Sequence, residues 1–443
     1  MVAEPARAAG PHRIVIAGGG AAGLELATRL GDVLGRRGLA RITLADCTRT
    51  HLWKPLLHSV AAGSLQPSQH ELNYLAQAHW HHFNYRYGEV IGIDREHREL
   101  ILGPTHDEEG REITPETRVA YDTLVMAVGS ITNDFGTPGA ARYAIPLETP
   151  EQATRFNRRL VNAFLRANAQ HEAVRPGQLH VAIIGAGATG TELAAELHHT
   201  VRDVLAYGFE RIDYEHNVHI VLIEAAERIL PALPERISSA SAQLLMKLGV
   251  EIRTRSKVAE VRADGVVLEN GEVLPSELVV WAAGVRAPAF LRDFGGLEVN
   301  RINQLVVKET LETTRDPNIF AIGDCASCPR GDGSTVPPRA QAAHQMASHM
   351  VGQIRARLAG RPLRAFRYRD FGSLVSLGKY STVGNLMGAL FGRNMMIEGL
   401  FARLMYRSLY KMHEAALHGG RTVLWRSLVG SFAPRPAPTV KLH

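Results

Sequence analysis

Two glycine-rich loops and two acids are the residues of this chain whose types and spacing suggest chemistry. Gly18-Gly19-Gly20-Ala21-Ala22-Gly23 and Gly185-Ala186-Gly187-Ala188-Thr189-Gly190 each follow an apolar run, 12–17 and 180–184. In such a loop the first glycine (Gly18, Gly185) permits a tight turn out of a strand. The second (Gly20, Gly187) lets backbone approach a pyrophosphate, and the third (Gly23, Gly190) lets a helix pack close to the sheet. The helix that follows turns its unpaired N–H groups and positive dipole end toward the phosphates. A further apolar run in each half ends in an acid suited to a ribose hydroxyl, 41–45 in Asp46 and 219–223 in Glu224. Asp46 lies 23 residues beyond Gly23, near the usual interval of about 20. Glu224 lies 34 beyond Gly190, and the extra residues, 200–217, read as a longer helix and a surface excursion. An acid at this place repels a 2′-phosphate and favours NADH over NADPH, although Arg228 stands close by in sequence. Two such loops in one chain imply two dinucleotides held together, the arrangement that passes a hydride from one to the other.

Positioning these groups requires two sets of parallel strands with intervening helices. Helical patterns follow both loops, through Leu24, Leu26, Ala27 and Leu30, and through Leu193, Ala194 and Leu197. Two later strands run into glycine, 121–128 into Gly129 and 278–283 into Gly284, 155 residues apart and close to the loop spacing. This reads as an internal duplication, with the second unit inserted into the first. A polar helix is expected over 151–170. A third nucleotide signal, the apolar strand 318–322 ending in Gly323-Asp324, follows; in flavoproteins of this architecture such an aspartate meets the ribityl chain of FAD. The expected fold is α/β with two Rossmann-like dinucleotide-binding domains. The boundaries expected are 11–148 and 291–388 for the FAD-binding domain, 149–290 for the NADH-binding domain, and 389–443 for a C-terminal amphipathic region.

The 443 residues suffice for two or three domains, and 45% hydrophobic with 21% charged residues is a globular balance. The N-terminus lacks the apolar core of a secretory signal, and no apolar run is long enough to span a bilayer. Three cysteines, Cys47, Cys325 and Cys328, fit a reducing compartment without a disulfide framework. The Cys325/Cys328 pair, spaced like a metal or redox site, lacks two further ligands for zinc, so no metal is expected. From Arg393 onward there are eight Lys/Arg and two acids, so the whole net charge of +6 resides in the tail.

With these signals the chain resembles the type II NADH dehydrogenases, single-subunit NADH:quinone oxidoreductases, and their proteobacterial branch in particular. The likeness covers nearly the whole chain. It is carried by His51-Leu52-Trp53-Lys54-Pro55-Leu56-Leu57-His58 with Ala61-Ala62-Gly63, by the 185–193 loop with Glu192, by Ala340-Gln341-Ala342-Ala343-His344-Gln345, and by 366–374 and 404–410. One departure is Asp46, where the wider fold more often has Glu, one methylene longer. The resemblance implies non-covalent FAD held by Gly18, Gly20, Gly23, Asp46, Lys54, Gly129, Gly323, Asp324 and Ala340. It implies NADH on Gly185, Gly187, Gly190, Glu192, Glu224 and Gly284. Glu192, read as lying in the first turn of its helix, is implied to meet the nicotinamide–flavin junction, or else to be a helix-start acid favoured by the dipole. Gln341 and Gln345, four apart on one helix face, are implied to hold a quinone carbonyl. His344 is a candidate proton donor or an ordinary polar helix position, and Lys379 a candidate partner for negative charge on reduced flavin or quinone.

Ile397, Leu400, Phe401, Leu404, Met405, Leu409 and Met412 recur at helical spacing beside Arg403, Arg407 and Lys411, and Val423, Leu424, Trp425, Leu428 and Val429 follow. This pattern predicts interfacial helices on anionic lipid, with core-packed or dimer-forming helices as the alternative. The expected enzyme is a peripheral protein on the cytoplasmic face of a bacterial inner membrane, non-electrogenic, homodimeric, and without a nucleic-acid partner. The rivals are a sulfide:quinone reductase of the same fold, which needs two well-separated cysteines facing the flavin, and a low-turnover NADH-sensing membrane protein.

Overall fold

A computed structural model describes residues 10–377 except 207 and 210, the backbone of 381–386 and 395–398, and residues 411, 414, 415 and 417. In chain order the elements that matter for the site begin with β1 (His12–Ala17), α1 (Ala21–Leu30), β2 (Ala40–Asp46), α2 (Leu57–Ala62), β3 (Asn84–Tyr87) and β4 (Thr123–Met126). Next come α3 (Pro150–Ala169), β5 (His180–Ile184), α4 (Ala188–Leu205), β6 (His219–Ile223), β7 (Val250–Arg253) and β8 (Leu278–Trp281). The chain then forms β9 (Ile319–Ala321), α5 (Ala340–Leu358), β10 (Ser373–Leu377), β11 (Ser381–Leu386) and β12 (Met395–Glu398).

These elements form two compact units. The first takes in the described parts of Met1–His51, Glu71–Ile131 and Arg286–Arg369; the second takes in Leu52–His70, Thr132–Val285 and the described parts of Asp370–His443. The second unit thus includes 52–70, 132–148 and the described parts of 370–388, which the sequence alone grouped with the first, and the described parts of 389–443, which it read as a separate region.

The first unit is built on a five-stranded sheet in the order β9-β4-β1-β2-β3, parallel throughout. The second has the order Ile145–Pro146, β8, β5, β6, β7, also parallel. The central strands are buried on both faces, Ile14 to Ala17 in one and Val181 to Ile184 in the other. Such strands read as unbroken apolar runs, which is why they were visible in the sequence. Each unit also carries a three-stranded antiparallel meander, between β3 and β4 through Val90–Asp94, Glu99–Leu102 and Thr117–Ala120, and between β7 and β8 through Val258–Arg262, Gly265–Leu268 and Val273–Pro275. The duplication therefore extends to the meanders. It fails at the fifth sheet position, filled by a late strand in the first unit and an early one in the second.

The expected polar helix is α3, and it is amphipathic. Thr149 and Gln152 form a capping box at its start, with Pro150 in the first turn. Phe156, Leu160 and Phe164 enter the core of the second unit with α2 residues Leu57, Val60 and Ala61. The tail departs from expectation at its beginning. Ile397, which opens the helical series, lies on β12, an antiparallel partner of β11 and part of the β10-β11-β12 sheet. The run Met395-Met396-Ile397 satisfies its backbone by pairing along β11, which overrides the helical spacing. The interfacial helices expected farther along lie outside the described residues except for the helical positions 411, 414, 415 and 417, and Lys379 lies outside them too. Among the described residues no helix is long and apolar enough to cross a membrane.

Candidate nucleotide and quinone sites

The two loops have the same geometry in their separate units. Gly18 and Gly185 have φ of +103° and +99°, open to glycine at little cost. A methyl group on Gly185 would sit 2.6 Å from the Ala283 Cα, and one on Gly18 would overlap the Ala127 carbonyl. A methyl on Gly23 would overlap the Gly18 carbonyl oxygen, and one on Gly190 that of Gly185. Gly20 and Gly187 differ: nothing in the protein lies within 4 Å of a Cβ added there. Both are helix N-caps without a side-chain cap bond, so the first N–H groups of α1 and α4 are left for an external acceptor. The middle glycine of each loop borders the open cradle that a pyrophosphate requires.

The acids latch these loops. Asp46 Oδ2 accepts from Gly19 N at 2.6 Å, and Oδ1 accepts from Thr48 N and Thr48 Oγ1 at 2.8 and 2.6 Å. Glu224 Oε2 accepts from Ala186 N at 2.8 Å and Oε1 from Ala226 N at 2.9 Å. Each acid thus ties the end of the second strand to the second loop residue. A carboxylate has about four lone-pair sites, so both retain capacity for a ribose hydroxyl. Asp46 reaches its loop despite the missing methylene. Arg228 directs its guanidinium to the carbonyls of Leu233 and Pro231, at 2.7 and 3.0 Å, where it braces its own turn. Tyr74, buried, donates to Gly19 O at 2.8 Å and closes the first loop from beneath.

Glu192 is not in the first turn. The helix α4 starts at Ala188, inside the loop, and its first turn contains no acid. The third glycine is already helical, which moves Glu192 a turn inward, and its carboxylate is buried. Its Oε1 accepts from Ser376 N at 2.9 Å, and its Oε2 lies 3.4 Å from Nδ1 of buried His58. A buried carboxylate needs such partners, so the helix-start explanation does not account for it. No spacing signal marked His58 or Ser376 as partners, because one is 134 residues before Glu192 and the other 184 after.

In the first unit, Gly323 N donates to Met346 Sδ at 3.2 Å, and Ser130 Oγ donates to Asp324 Oδ2 at 2.8 Å. Gly129 and Gly284 follow the equivalent strands β4 and β8 with near-equal φ, +69° and +66°. Ala340 is the first residue of α5, with Gln341 next to it, half-buried. Gln345 has a different task. Its Nε2 donates to Arg369 O at 2.8 Å and its Oε1 accepts from Arg369 N at 3.0 Å, so its amide brackets one backbone residue. His344 Nδ1 lies 2.6 Å from Glu25 Oε2, with Glu25 buried on α1. Lys54 is exposed, in the second unit, at the start of a short turn, Lys54–Leu56, that leads into α2.

The family described as pyridine nucleotide-disulphide oxidoreductase matches residues 12–347. A type II NADH:quinone oxidoreductase of Haemophilus influenzae is 42% identical, over 97% of this chain and 99% of its own length. The chain belongs to the type II NADH:quinone oxidoreductases. Its fold matches the NDH2 structure from Plasmodium falciparum in complex with NADH, at a TM-score of 0.80 and 18% identity, covering 96% of this chain and 99% of that one. The sulfide:quinone oxidoreductase from Aquifex aeolicus shares the fold at a TM-score of 0.71 and 16% identity, with 96% of each chain covered.

In this type II chain none of the three cysteines is in a disulfide. Cys325 and Cys328 are buried, and burial pushes their thiols up to about 12 and about 11. A thiol so far from ionisation is a poor nucleophile, and Cys47 is exposed. This is not the chemistry that sulfide oxidation through paired cysteines requires. His51, which opens the 51–58 motif of the type II resemblance, is buried, and burial lowers its imidazole to about 4.

Proposed function

We propose that this chain oxidises NADH and reduces a membrane quinone through a tightly held FAD, without moving protons across the membrane. One observation carries the reading: the same loop, latched by the same kind of acid, is built twice on duplicated sheets in a chain with a 42% identical type II relative. The open cradles at Gly20 and Gly187 and the uncapped helix starts fit two dinucleotide pyrophosphates. Gly18, Gly20, Gly23 and Asp46 would hold FAD, with Asp324 toward its ribityl chain. Gly185, Gly187, Gly190 and Glu224 would hold NADH. Bound there, the flavin supplies the redox chemistry, accepting a hydride and delivering two electrons.

The protein's own contribution is placement and electrostatics. Stacking the two rings within reach supplies much of the rate. Glu192, braced by His58 and Ser376, keeps a fixed acceptor at the nicotinamide. Glu224 selects the cofactor that carries no 2′-phosphate. Gln341 offers a neutral planar amide to a quinone carbonyl, while Gln345 sets the backbone at Arg369 beside it. The basic tail, with its concentration of the net charge, brings a homodimer to the anionic cytoplasmic face of the membrane, where each basic group contributes about 1 kcal/mol.

The test is anaerobic. NADH is added to purified protein, then a short-chain ubiquinone, and the visible flavin band is followed. Bleaching followed by quinone-driven recovery is expected. Bleaching without recovery would refute the quinone half and favour an NADH-sensing role.

A further inference from the structure

Glu25 is a buried carboxylate on α1 that neither nucleotide loop requires. It is 3% exposed. Its Oε2 lies 2.6 Å from His344 Nδ1, while Oε1 accepts from Arg29 Nη1 at 2.9 Å and from Ser348 Oγ at 3.2 Å. The His344 side chain is 25% exposed, and Ser348 lies at the surface. Gln341, His344 and Ser348 stand three and four residues apart on α5, which places them along one face of the helix. Glu25 bridges the second and third of them from the neighbouring helix. The result is a hydrogen-bonded row from solvent at Ser348, through a carboxylate, to an imidazole one turn from Gln341.

Quinone reduction by NADH consumes one proton from solvent: NADH, quinone and H⁺ give NAD⁺ and quinol. The hydride carries two electrons and one proton, so the second proton needs its own entry. We propose that Ser348, Glu25 and His344 form that entry, with His344 as the donor to the quinone oxygen. This rests on the reading that a quinone binds at Gln341. In the step, the imidazole N–H bond breaks as the quinone O–H bond forms. Glu25 returns a proton at Nδ1 and is itself recharged from solvent by way of the Ser348 hydroxyl. Glu25 contacts His344 and also accepts from Arg29 and Ser348, and the His51 imidazole feels the charge of His344. His51 stays neutral down to about pH 4, so it places no positive charge beside this row near neutral pH. Arg29, by pairing with Glu25, keeps the carboxylate tolerable in its buried site.

The experiment compares two acceptors on the intact flavoprotein. Flavin reduced by NADH is reoxidised in single turnover by a short-chain ubiquinone, which takes up protons, or by ferricyanide, which takes electrons alone. In Glu25→Gln and His344→Gln the quinone rate is expected to fall about 100-fold, the scale of lost general acid catalysis. The ferricyanide rate and flavin content should stay within about twofold of the wild type on the same basis. In His344→Ala, added imidazole should restore part of the quinone rate. Equal losses with both acceptors would overturn the relay and leave a structural tie between α1 and α5. A quinone rate unchanged in both Gln variants would overturn it as well. A wild-type protein that reduces ferricyanide but no quinone would instead refute the parent reading of the site.

Discussion

Alanine at the middle glycine of each loop separates the two nucleotides from each other and from the fold. Gly20 has φ −64° and ψ −170°, and Gly187 φ −71° and ψ −169°, conformations that alanine adopts without strain. No protein atom lies within 4 Å of the added methyl at either site. In the flavin-free protein Gly20→Ala should therefore be neutral or stabilising, by up to about 0.4–1 kcal/mol from reduced freedom of the unfolded chain. If the loops hold the dinucleotides as proposed, the methyl would occupy the path of the pyrophosphate. Overpacking of that size costs about 1–3 kcal/mol, or roughly 5- to 150-fold in affinity. Gly20→Ala should thus purify with less flavin per protein and bind added FAD more weakly. Gly187→Ala should keep its flavin and show a KM for NADH raised by a similar factor. The assays are the flavin-to-protein absorbance ratio, FAD titration of stripped protein, NADH kinetics and thermal melting. Full FAD affinity in Gly20→Ala, an unchanged KM in Gly187→Ala, or a crossed pattern would refute the assignment of the loops. A lowered melting temperature in flavin-free Gly20→Ala would show that the methyl meets protein and not cofactor.

Other consequences can be measured separately. Glu224→Arg should shift the NADH-to-NADPH ratio of kcat/KM toward NADPH by about tenfold or more, the scale of one charge-assisted hydrogen bond; an unchanged ratio would remove Glu224 from the ribose site. Glu192→Leu leaves Ser376 N without its acceptor, at about 1–3 kcal/mol, and takes the carboxylate away from His58, whereas Glu192→Gln keeps an oxygen for Ser376. The Leu variant should melt several degrees below the Gln variant, and equal melting would mean that neither bond matters to stability. Iodoacetamide at pH 8 should modify Cys47 alone in the folded protein and all three cysteines after denaturation; a second adduct on native protein, read by mass, would contradict the burial of Cys325 and Cys328. His51 refuses a proton in the fold down to about pH 4, while the unfolded chain takes one near pH 6.5. Its contribution is fully present above the unfolded value and is lost as pH falls from there toward 4. The stability slope owed to it is up to about 1.4 kcal/mol per pH unit. His51→Gln should flatten the decline in melting temperature between pH 6.5 and 4.5, and an identical decline would refute this.

What was legible in the sequence was whatever repeats locally. The loops, the apolar strands beside them and the acids at the strand ends are fixed by short-range sterics and burial, and they recur at matching intervals. Glu192 is expected in the first turn of its helix, but the helix already begins at Ala188 within the loop, which moves Glu192 inward. Gln345 is implied by the family resemblance, and neither that resemblance nor its spacing to Gln341 shows that Arg369 takes both ends of its amide. The pairing of His58 with Glu192, and the roles of Ser376, Glu25 and Tyr74, gave no signal, since each acts across long stretches of sequence. The strand at Met395–Glu398 escaped because apolar residues spaced for a helix can also pair along an edge when a neighbouring strand is offered.

The late arrival of β9 has a consequence during synthesis. β4 is complete at Met126, yet the strand that pairs with it begins at Ile319. At ordinary rates of translation those intervening residues take on the order of 10–40 s to emerge. For that time one side of the first sheet is an open edge, a template for unwanted pairing, while the sheet of the second unit can already assemble from residues made in between. A nascent chain paused between Trp281 and Ile319 would therefore carry a finished second sheet beside an unfinished first one. Chaperone protection should matter most over that interval.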